Sequence, residues 1–402
     1  MPCDIHFVPE FRRDLPLPPE NPMRLLPIAA VSLTLIACTG AQPGNSQEAA
    51  APSDGLPFTV TPVADFDSPW AMTFLPDGRM LVTEKTGTLL LVSADGKTRT
   101  PVGGIPPVDS AGQGALKDVV LHPDFAKNRL VYFSFSEAGE GGKGVVLARG
   151  HLTGNRAAMP VLANVERLFQ ATPYVSGNGH YSGRIAFAPD GKHLFFTNGE
   201  RQKFDPAQDP KSTLGKVLRL TLDGKPAGDP GLTAKGFHPA IWSYGHRNLL
   251  GIAFDKAGNL WEQEMGPQGG DEVNLVLPGR NYGYPIVSDG DHYSGADIPD
   301  HKTRPEFEAP KVSWNPAISP GGLIVYSGKL FPQWTGDLFI GGLSSQALVR
   351  VHVDGTNAAK GDQWPMGARI REVEEGPDGA IWLLEDGGQG SQGRLLKLTP
   401  KR

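Results

Sequence analysis

The 402-residue sequence has few cysteines, no excess of positive charge and no long helical pattern. It contains only two cysteines, and its 38 basic and 43 acidic residues give a formal net charge of −5. This balance provides no basis for a nucleic-acid-binding surface, which needs clustered positive charge. The 51 glycines and 37 prolines interrupt apolar runs throughout the chain and disfavour a helical bundle. They follow no Gly-X-Y period, which excludes collagen. The remaining class is a turn-rich, mostly β protein.

The N-terminal region is typical of an export signal. Residues 23–38 read MRLLPIAAVSLTLIAC, in which Arg24 is a short positive region and residues 25–37 are an apolar stretch of signal-peptide length. The final letters, LIAC, resemble a bacterial lipobox, which implies cleavage before Cys38 and diacylation of that cysteine. We therefore interpret residues 1–37 as a signal segment with Met23 as the true start. A plain secretory signal is the alternative.

The segment that follows Cys38 predicts a tether. Residues 38–56 are small, polar and proline-containing, which is typical of a flexible linker. The other cysteine, Cys3, lies upstream of the cleavage point, so the mature chain has no disulfide and no cysteine-based metal site. A lipidated Cys38 would hold the exported domain at a membrane surface. Because Thr39 rather than aspartate follows it, we expect a periplasmic protein attached to the outer membrane.

A recurring hairpin unit fills residues 57–402. Each unit is an apolar β-rich run, a turn such as Asp-Gly, and a second β-rich run, which is a strong hairpin signal. Clear examples lie at 71–82, 184–196, 251–261 and 376–384. About six such units of roughly 50–60 residues predict an all-β fold, a six-bladed β-propeller. Two β-sandwiches or a β-helix are the alternatives.

Several polar residues in predicted loops are suited to chemistry. His180 lies in a glycine-rich bend, and imidazole accepts a proton near neutral pH. Arg247, followed by Asn248, can hold a carboxylate in a bidentate pair. Arg369 and Arg371 alternate along a predicted strand, so they share a face that suits an anionic polycarboxylate. Solvent-exposed surface residues are the alternative interpretation for each.

An acidic, glycine-rich run at 262–272 predicts a cation site. It carries four carboxylates in eleven residues, which repel one another unless a cation compensates them. A hard divalent ion such as Ca²⁺ takes carboxylate and carbonyl oxygens in flexible geometry. The spacing is not that of an EF-hand, and a solvated acidic loop is the alternative. The four residues are Glu262, Glu264, Asp271 and Glu272.

Taken together and in this order, the motifs resemble the soluble pyrroloquinoline quinone (PQQ)-dependent glucose/aldose sugar dehydrogenases, of the periplasmic aldose sugar dehydrogenase type. The resemblance extends from about residue 58 to the C-terminus and implies a six-bladed propeller that binds PQQ and Ca²⁺. The segments that carry it are 112–118, 122–125, 180–184, 215–220, 245–248, 266–272, 281–285 and 369–371.

The resemblance implies an activity and roles for individual residues. The activity is oxidation of the C1 hydroxyl of an aldose to the lactone, with His180 as general base, hydride passing to C5 of PQQ, and electrons passing to an external acceptor. Gly266 and Pro267 would hold a Ca²⁺ beside PQQ through their carbonyls, and Glu272 and Tyr282 would bind a second, structural Ca²⁺. The implied PQQ-binding residues are Gln113, Arg247, Asn248, Tyr293, Arg369 and Arg371.

Two positions depart from the family pattern. Gly179 stands where an acidic or polar residue precedes the catalytic histidine, and Ser344 stands where a lysine binds a PQQ carboxylate. Loss of that cation is expected to weaken PQQ binding. Two other functions are therefore considered: a Ca²⁺-dependent lactone or ester hydrolase, and a non-catalytic, lipid-anchored binding propeller.

Overall fold

The computed structural model describes residues 55–154, 159–388 and 391–401. The predicted signal segment, the lipobox and all but the end of the tether lie outside these residues, so those interpretations stay predictions. Within the described part of the chain, no helix is long and apolar enough to cross a membrane.

Six four-stranded antiparallel sheets form the fold and are arranged in a ring as propeller blades. We number them in chain order and give the innermost strand first. Blade 1 contains Pro69–Phe74, Met80–Glu84, Leu89–Val92 and Arg99–Val102. Blade 2 contains Leu116–Leu121, Leu130–Gly139, Gly142–Thr153 and Val161–Gln170. Blade 3 contains Ser182–Phe187, His193–Asn198, Lys216–Thr221 and Ile241–Tyr244.

The second half of the ring repeats this order. Blade 4 contains Leu249–Phe254, Leu260–Glu264, Asp271–Leu275 and Val312–Trp314. Blade 5 contains Pro320–Val325, Leu338–Gly342, Ala347–Asp354 and Asn357–Pro365. Blade 6 contains Ile370–Glu375, Ile381–Glu385, Arg394–Pro400 and, as its outer strand, the N-terminal Phe58–Asp65. The predicted six-bladed propeller is therefore confirmed.

The remaining regular elements of the described residues are short. A two-stranded sheet joins Gln268–Gly269 to Gly290–Asp291, and one helical turn covers Phe125–Asn128. Four 3₁₀ turns lie at Asp205–Ala207, Thr233–Lys235, His301–Thr303 and Pro332–Trp334.

Glycine turns connect the first two strands of several blades, as the hairpin pattern predicts. Gly78, Gly191, Gly258 and Gly379 have φ values of 84°, 65°, 87° and 86°. Residues with a side chain rarely adopt this left-handed backbone conformation, whereas glycine adopts it without a steric penalty. The Asp-Gly and related turns therefore reverse the chain between the inner strand and its neighbour.

Blade 6 is closed by the N-terminal strand. Phe58–Asp65 pairs antiparallel with Arg394–Pro400, so the two ends of the described domain meet in one sheet. Phe58 is fully buried, and its ring packs edge-on against Trp364 and Trp334 with centroid distances of 5.4 and 6.4 Å. These tryptophans belong to blade 5 and the turn that precedes its second strand, so Phe58 also connects neighbouring blades.

We expect Phe58→Ala to reduce the free energy of unfolding by about 3–5 kcal/mol, the usual range for a buried Phe→Ala substitution that leaves a cavity. Urea denaturation measures the change. Thr59→Ala is the matched control, because Thr59 is the exposed neighbour in the same strand and should change stability by less than about 0.5 kcal/mol. Equal effects of the two variants would contradict a role for Phe58 in closing the ring.

Candidate active site

The innermost strand of each blade has a register shift, close to its first residue, in its pairing with the second strand. A β-bulge bends the strand locally and re-aims the side chains beside it. The register shifts lie between Pro69 and Ala71, Leu116 and Val119, Ser182 and Ile185, Leu249 and Gly251, Pro320 and Leu323, and Ile370 and Glu372. Four side chains within these intervals border one cavity of about 440 Å³: Trp70, Lys117, Leu250 and Arg371.

Four of the predicted cofactor-binding residues meet at this cavity. Gln113, Asn248, Arg369 and Arg371 all border it, although they come from three widely separated segments of the chain. Asn248 follows the last strand of blade 3 and is buried, and its Oδ1 lies 3.3 Å from the donating hydroxyl of Ser182. The structure therefore brings together residues that the sequence could only align by resemblance.

Arg247 lies beside the cavity rather than in its lining. Its Nη1 donates to the carbonyl of Met265 at 2.9 Å and also to the carbonyl of Gly266. The guanidinium carbon lies 5.7 Å from the ring centroid of Tyr284 and 5.8 Å from that of Tyr293, and the buried Nε has no hydrogen-bond partner. Tyr293 itself is 73% exposed and does not border the cavity.

The two predicted carboxylate-binding arginines share one acidic partner. Arg369 Nε donates to Asp386 Oδ2 at 2.9 Å, and Arg371 Nε donates to Asp386 Oδ1 at 2.7 Å. Burial opposes ionisation of Asp386, but the two guanidinium groups hold its pKa below the usual value. One carboxylate therefore compensates two cations, which leaves net positive charge at this wall of the cavity.

The ion pairs of Arg184 lie on the axis, next to Trp70. Its Nη1 contacts Asp118 at 3.2 Å and also Glu372, and its Nε donates to the carbonyl of Leu250 at 2.6 Å. Its guanidinium carbon lies 4.2 Å from the centroid of the Trp70 ring, which borders the cavity. Arg184 therefore has its own counterions and supports an aromatic wall of the cavity.

His180 lies between this cavity and a buried carboxylate. Its backbone N–H donates to Gln113 Oε1 at 2.7 Å, and its Nδ1 contacts Glu200 Oε1. Burial lowers the pKa of His180, so the ring is neutral near neutral pH. Burial acts against ionisation of Glu200, but the hydrogen bonds from His180 and from backbone amides hold its pKa below the usual value.

These pKa shifts assign the proton on His180. An anionic Glu200 accepts a hydrogen bond, so Nδ1 carries the ring proton and Nε2 keeps a free lone pair. No described residue forms a hydrogen bond with Nε2. This arrangement is suited to a general base, because the carboxylate orients a neutral imidazole and would stabilise it once protonated.

Glu200 is a candidate functional residue that the sequence reasoning missed. It follows His193–Asn198, and the pairing of Ser182 with Asn198 places residues 180 and 200 at the same end of blade 3. Its other oxygen accepts the backbone N–H groups of Lys203 at 2.5 Å and Phe204 at 2.8 Å. An acid a few residues after the predicted hairpin at 184–196 was the available signal.

The structure places both departures from the family pattern. A Cβ on Gly179 would lie 2.2 Å from Oε1 of Gln202, so the side chain of Gln202 occupies the space next to the histidine. Ser344 is exposed, and its hydroxyl donates to the carbonyl of Ala317 at 3.2 Å. Its neighbour Leu343 borders the cavity, but Ser344 does not.

The prediction that residues 262–272 form a loop is wrong, because all four acidic residues of this run lie in strands. Glu262 and Glu264 lie in the strand Leu260–Glu264, and Glu272 lies in the next strand of blade 4, all of them buried. Strand pairing places Glu264 opposite Glu272, a proximity that the sequence analysis did not predict. The solvated-loop alternative is therefore excluded.

The predicted metal ligands border one small space of about 10 Å³, next to Glu264 and Ser288. Burial, followed by the charge of Glu264, raises the pKa of Glu272 to about 8. Two nearby buried oxygens, Glu262 Oε2 and Asn274 Oδ1, have no hydrogen-bond partner. These crowded oxygen donors fit a hard cation such as Ca²⁺. The four predicted ligands are Gly266, Pro267, Glu272 and Tyr282.

Comparison with known proteins identifies the family. The glucose/sorbosone dehydrogenase family matches residues 66–397. Aldose sugar dehydrogenase YliI of Escherichia coli (strain K12) is 38% identical over 344 residues, which is 83% of this chain and 91% of that protein. The chain belongs to the glucose/sorbosone dehydrogenase family. The resemblance inferred from the motifs is confirmed, and with it the predicted enzyme class.

Solved structures of the glucose/sorbosone dehydrogenase family agree with this fold. The soluble aldose sugar dehydrogenase of Escherichia coli in its apo form is 36% identical, with a TM-score of 0.78 over 86% of this chain and 100% of that chain. The PQQ-bound form of the aldose sugar dehydrogenase of Streptomyces coelicolor is 30% identical, with a TM-score of 0.70 over 88% of this chain and 100% of that chain.

We expect Ca²⁺ to stabilise the protein through the buried oxygen cluster. At 100 times its Kd, a bound ion adds about 2.7 kcal/mol, which corresponds to roughly 4 °C in Tm for a domain of this size. Glu272→Gln should abolish this Ca²⁺-dependent rise in differential scanning calorimetry. Glu306→Gln, at an exposed acid, should retain it. A full Ca²⁺-dependent rise in Glu272→Gln would contradict the assignment.

Proposed function

We propose that the protein is a PQQ-dependent sugar dehydrogenase that oxidises the C1 hydroxyl of aldoses to lactones. The observation that carries the proposal is the pairing of His180 with a buried carboxylate beside a cavity that has excess positive charge. The similarity to a relative solved with PQQ supports the same cofactor here. The activity of the aldose sugar dehydrogenase relative supports the substrate class.

The cavity residues fit a flat, anionic cofactor. Arg369 and Arg371 retain guanidinium nitrogens beyond those that bind Asp386, and these would hold carboxylates of PQQ. Gln113 and Asn248 would donate or accept hydrogen bonds at its edge. PQQ, when bound, supplies a quinone that accepts the hydride released from C1 of the sugar.

His180 would remove the proton that leaves the sugar hydroxyl. Its Nε2 has the free lone pair, and the ring is neutral because burial lowers its pKa. When Nε2 takes the proton, the ring becomes an imidazolium whose charge is balanced by Glu200. The hydroxyl proton would therefore pass to Nε2 as C1 loses its hydrogen as hydride, and the C1 hydroxyl would become the carbonyl of the lactone.

Calcium would be held by backbone carbonyls of Gly266 and Pro267 beside the cofactor, and by Glu272 with Tyr282 at the structural position. The phenol of Tyr282 donates to the carbonyl of Leu275 at 2.5 Å, so Tyr282 would offer its backbone carbonyl, which also accepts a hydrogen bond from Nε2 of His301 at 3.1 Å. Arg247 already donates to the carbonyl of Gly266, which places its positive charge close to the proposed cofactor position.

The cavity argues against the two alternative functions. A neutral lactone or ester does not need a wall with two arginines, whereas a polycarboxylate does. A binding propeller without catalysis has no use for a buried histidine ordered by a carboxylate. We therefore retain the dehydrogenase and place the electrons on an external acceptor.

We also propose that export and lipidation at Cys38 hold this domain at a membrane surface, facing the periplasm. The support is the signal-like segment that ends in LIAC and the polar tether at 38–56. In this arrangement the sugar reaches the cavity from the periplasm, and the acceptor is reached within the length of the tether.

We expect His180→Asn to reduce kcat for aldose oxidation by roughly 100- to 10,000-fold, the usual contribution of a general base. Asparagine is chosen because His180 has a φ of 47°, a left-handed conformation that asparagine tolerates better than alanine. Dye-linked assays with added PQQ and Ca²⁺ measure the rate.

Absorbance titration of the same variant should give a PQQ Kd within about threefold of the wild type, because His180 does not border the cavity. His193→Asn, at a half-buried histidine paired with Asp190, is the control and should keep full activity. Undiminished oxidation by His180→Asn would refute the role of the base.

We expect Glu200→Gln to move the acid limb of the pH profile of kcat/KM to lower pH. The carboxylate raises the pKa of His180 against the lowering by burial, so its removal lowers that pKa further. The neutral base then persists to lower pH, but kcat falls because the imidazolium loses its counterion. Glu166→Gln, at an exposed acid, should leave the profile unchanged. A shift toward higher pH would contradict this assignment.

A further inference from the structure

Lys117 is a buried lysine that the proposed mechanism does not use. It lies in the register shift of the innermost strand of blade 2, between Leu116 and Val119, and its side chain borders the cavity. The residue is only 2% exposed. The bulge therefore directs a lysine toward the space where an apolar strand residue would otherwise pack.

The ammonium group of Lys117 has one hydrogen bond and no acidic partner. Its Nζ donates to the carbonyl of Gln113 at 3.0 Å and lies 4.9 Å from the ring centroid of Trp70 and 5.4 Å from that of Tyr181. Among the described residues, no carboxylate forms an ion pair with it. An ammonium has three donors, so two remain for a ligand.

The charges that surround Lys117 are positive. After burial, the groups that lower the pKa of Lys117 are Arg371, Arg184, Arg201 and Lys85. The nearest acids serve other cations: Asp118 and Glu372 bind Arg184, and Asp386 binds Arg369 and Arg371. The protein thus concentrates cations at this cavity without enough carboxylates to balance them.

A second buried lysine shows that this arrangement is unusual within the chain. Lys216 donates to the carbonyls of Pro206, Ala207 and Leu214 at 2.6, 3.0 and 2.8 Å, so all three of its donors are satisfied. Burying a charge without such compensation is costly, by several kcal/mol. Lys117 has only one such hydrogen bond, and burial followed by the neighbouring cations lowers its pKa, so an anionic ligand is needed to stabilise its ammonium form.

We propose that Lys117 is a cofactor-binding residue whose ammonium group binds a carboxylate of PQQ. It would supply the cation that the family pattern places at Ser344, from a different blade of the propeller. This inference rests on the proposed use of PQQ. It assigns to the innermost strand of blade 2 a contact that the resemblance did not imply.

The test compares cofactor affinity with the stability of the cofactor-free protein. We expect Lys117→Met to raise the Kd for PQQ, measured by absorbance titration with Ca²⁺ present, by roughly 10- to 150-fold, the range for a lost charge-assisted hydrogen bond. The Tm of the cofactor-free variant should stay equal or rise, because methionine keeps the aliphatic stem and removes a buried amine that has a single hydrogen bond. Lys216→Met is the control and should lower that Tm.

A rescue experiment separates charge from shape. Lys117→Ala should lose PQQ affinity and regain at least part of it in the presence of propylammonium, which replaces the missing amine. Propanol, which has a similar shape but no charge, should give no recovery. Recovery with both compounds, or with neither, would overturn the proposal.

The outcomes distinguish this inference from the proposed function. If the wild-type protein does not bind PQQ, the proposed function fails. If the wild-type protein binds PQQ and Lys117→Met binds it equally well, only the role of Lys117 fails. A lower Tm of the cofactor-free variant together with weaker binding would assign Lys117 to folding and would also overturn the inference.

Discussion

The proposed site depends on one constraint, which is the excess of positive charge around the central cavity. The six innermost strands surround the propeller axis, and the pairing of each with its neighbour has a register shift near its first residue. The bulges turn side chains that would face the spaces between blades toward the cavity, among them Lys117 and Arg371. These cations exceed the nearby carboxylates, which supports the proposed binding of an anionic cofactor.

The acidic cluster in blade 4 likewise lacks enough opposite charge to balance it. Strand pairing sets Glu264 opposite Glu272, both buried, and burial holds the pKa of Glu272 far above its usual value. A propeller can tolerate both imbalances because its blades are independently packed sheets with apolar clusters between them. Packing between blades supplies the stability, so the axis and the loops can carry unfavourable charge.

Burial and charge compensation act together on His180 and Glu200. A neutral imidazole is favoured by burial, and the carboxylate of Glu200 keeps its ionised form through hydrogen bonds from backbone amides. The catalytic proposal needs both conditions, since the base must begin neutral and end charged. The backbone N–H of His180 donates to Gln113, so a hydrogen bond connects the base to the cavity wall.

The sequence by itself determined the hairpin units, the number of blades and the family, because glycine turns and alternating apolar runs are local signals. It also indicated His180 and the pair Arg369 and Arg371, which resemblance placed at a cofactor. Only the tertiary structure showed that Glu200 accompanies the histidine and that Lys117 faces the cavity. Both contacts depend on strand register, which brings together residues from distant positions in the chain. They also depend on β-bulges, where the side chains no longer alternate between the two faces of the sheet as a sequence pattern assumes.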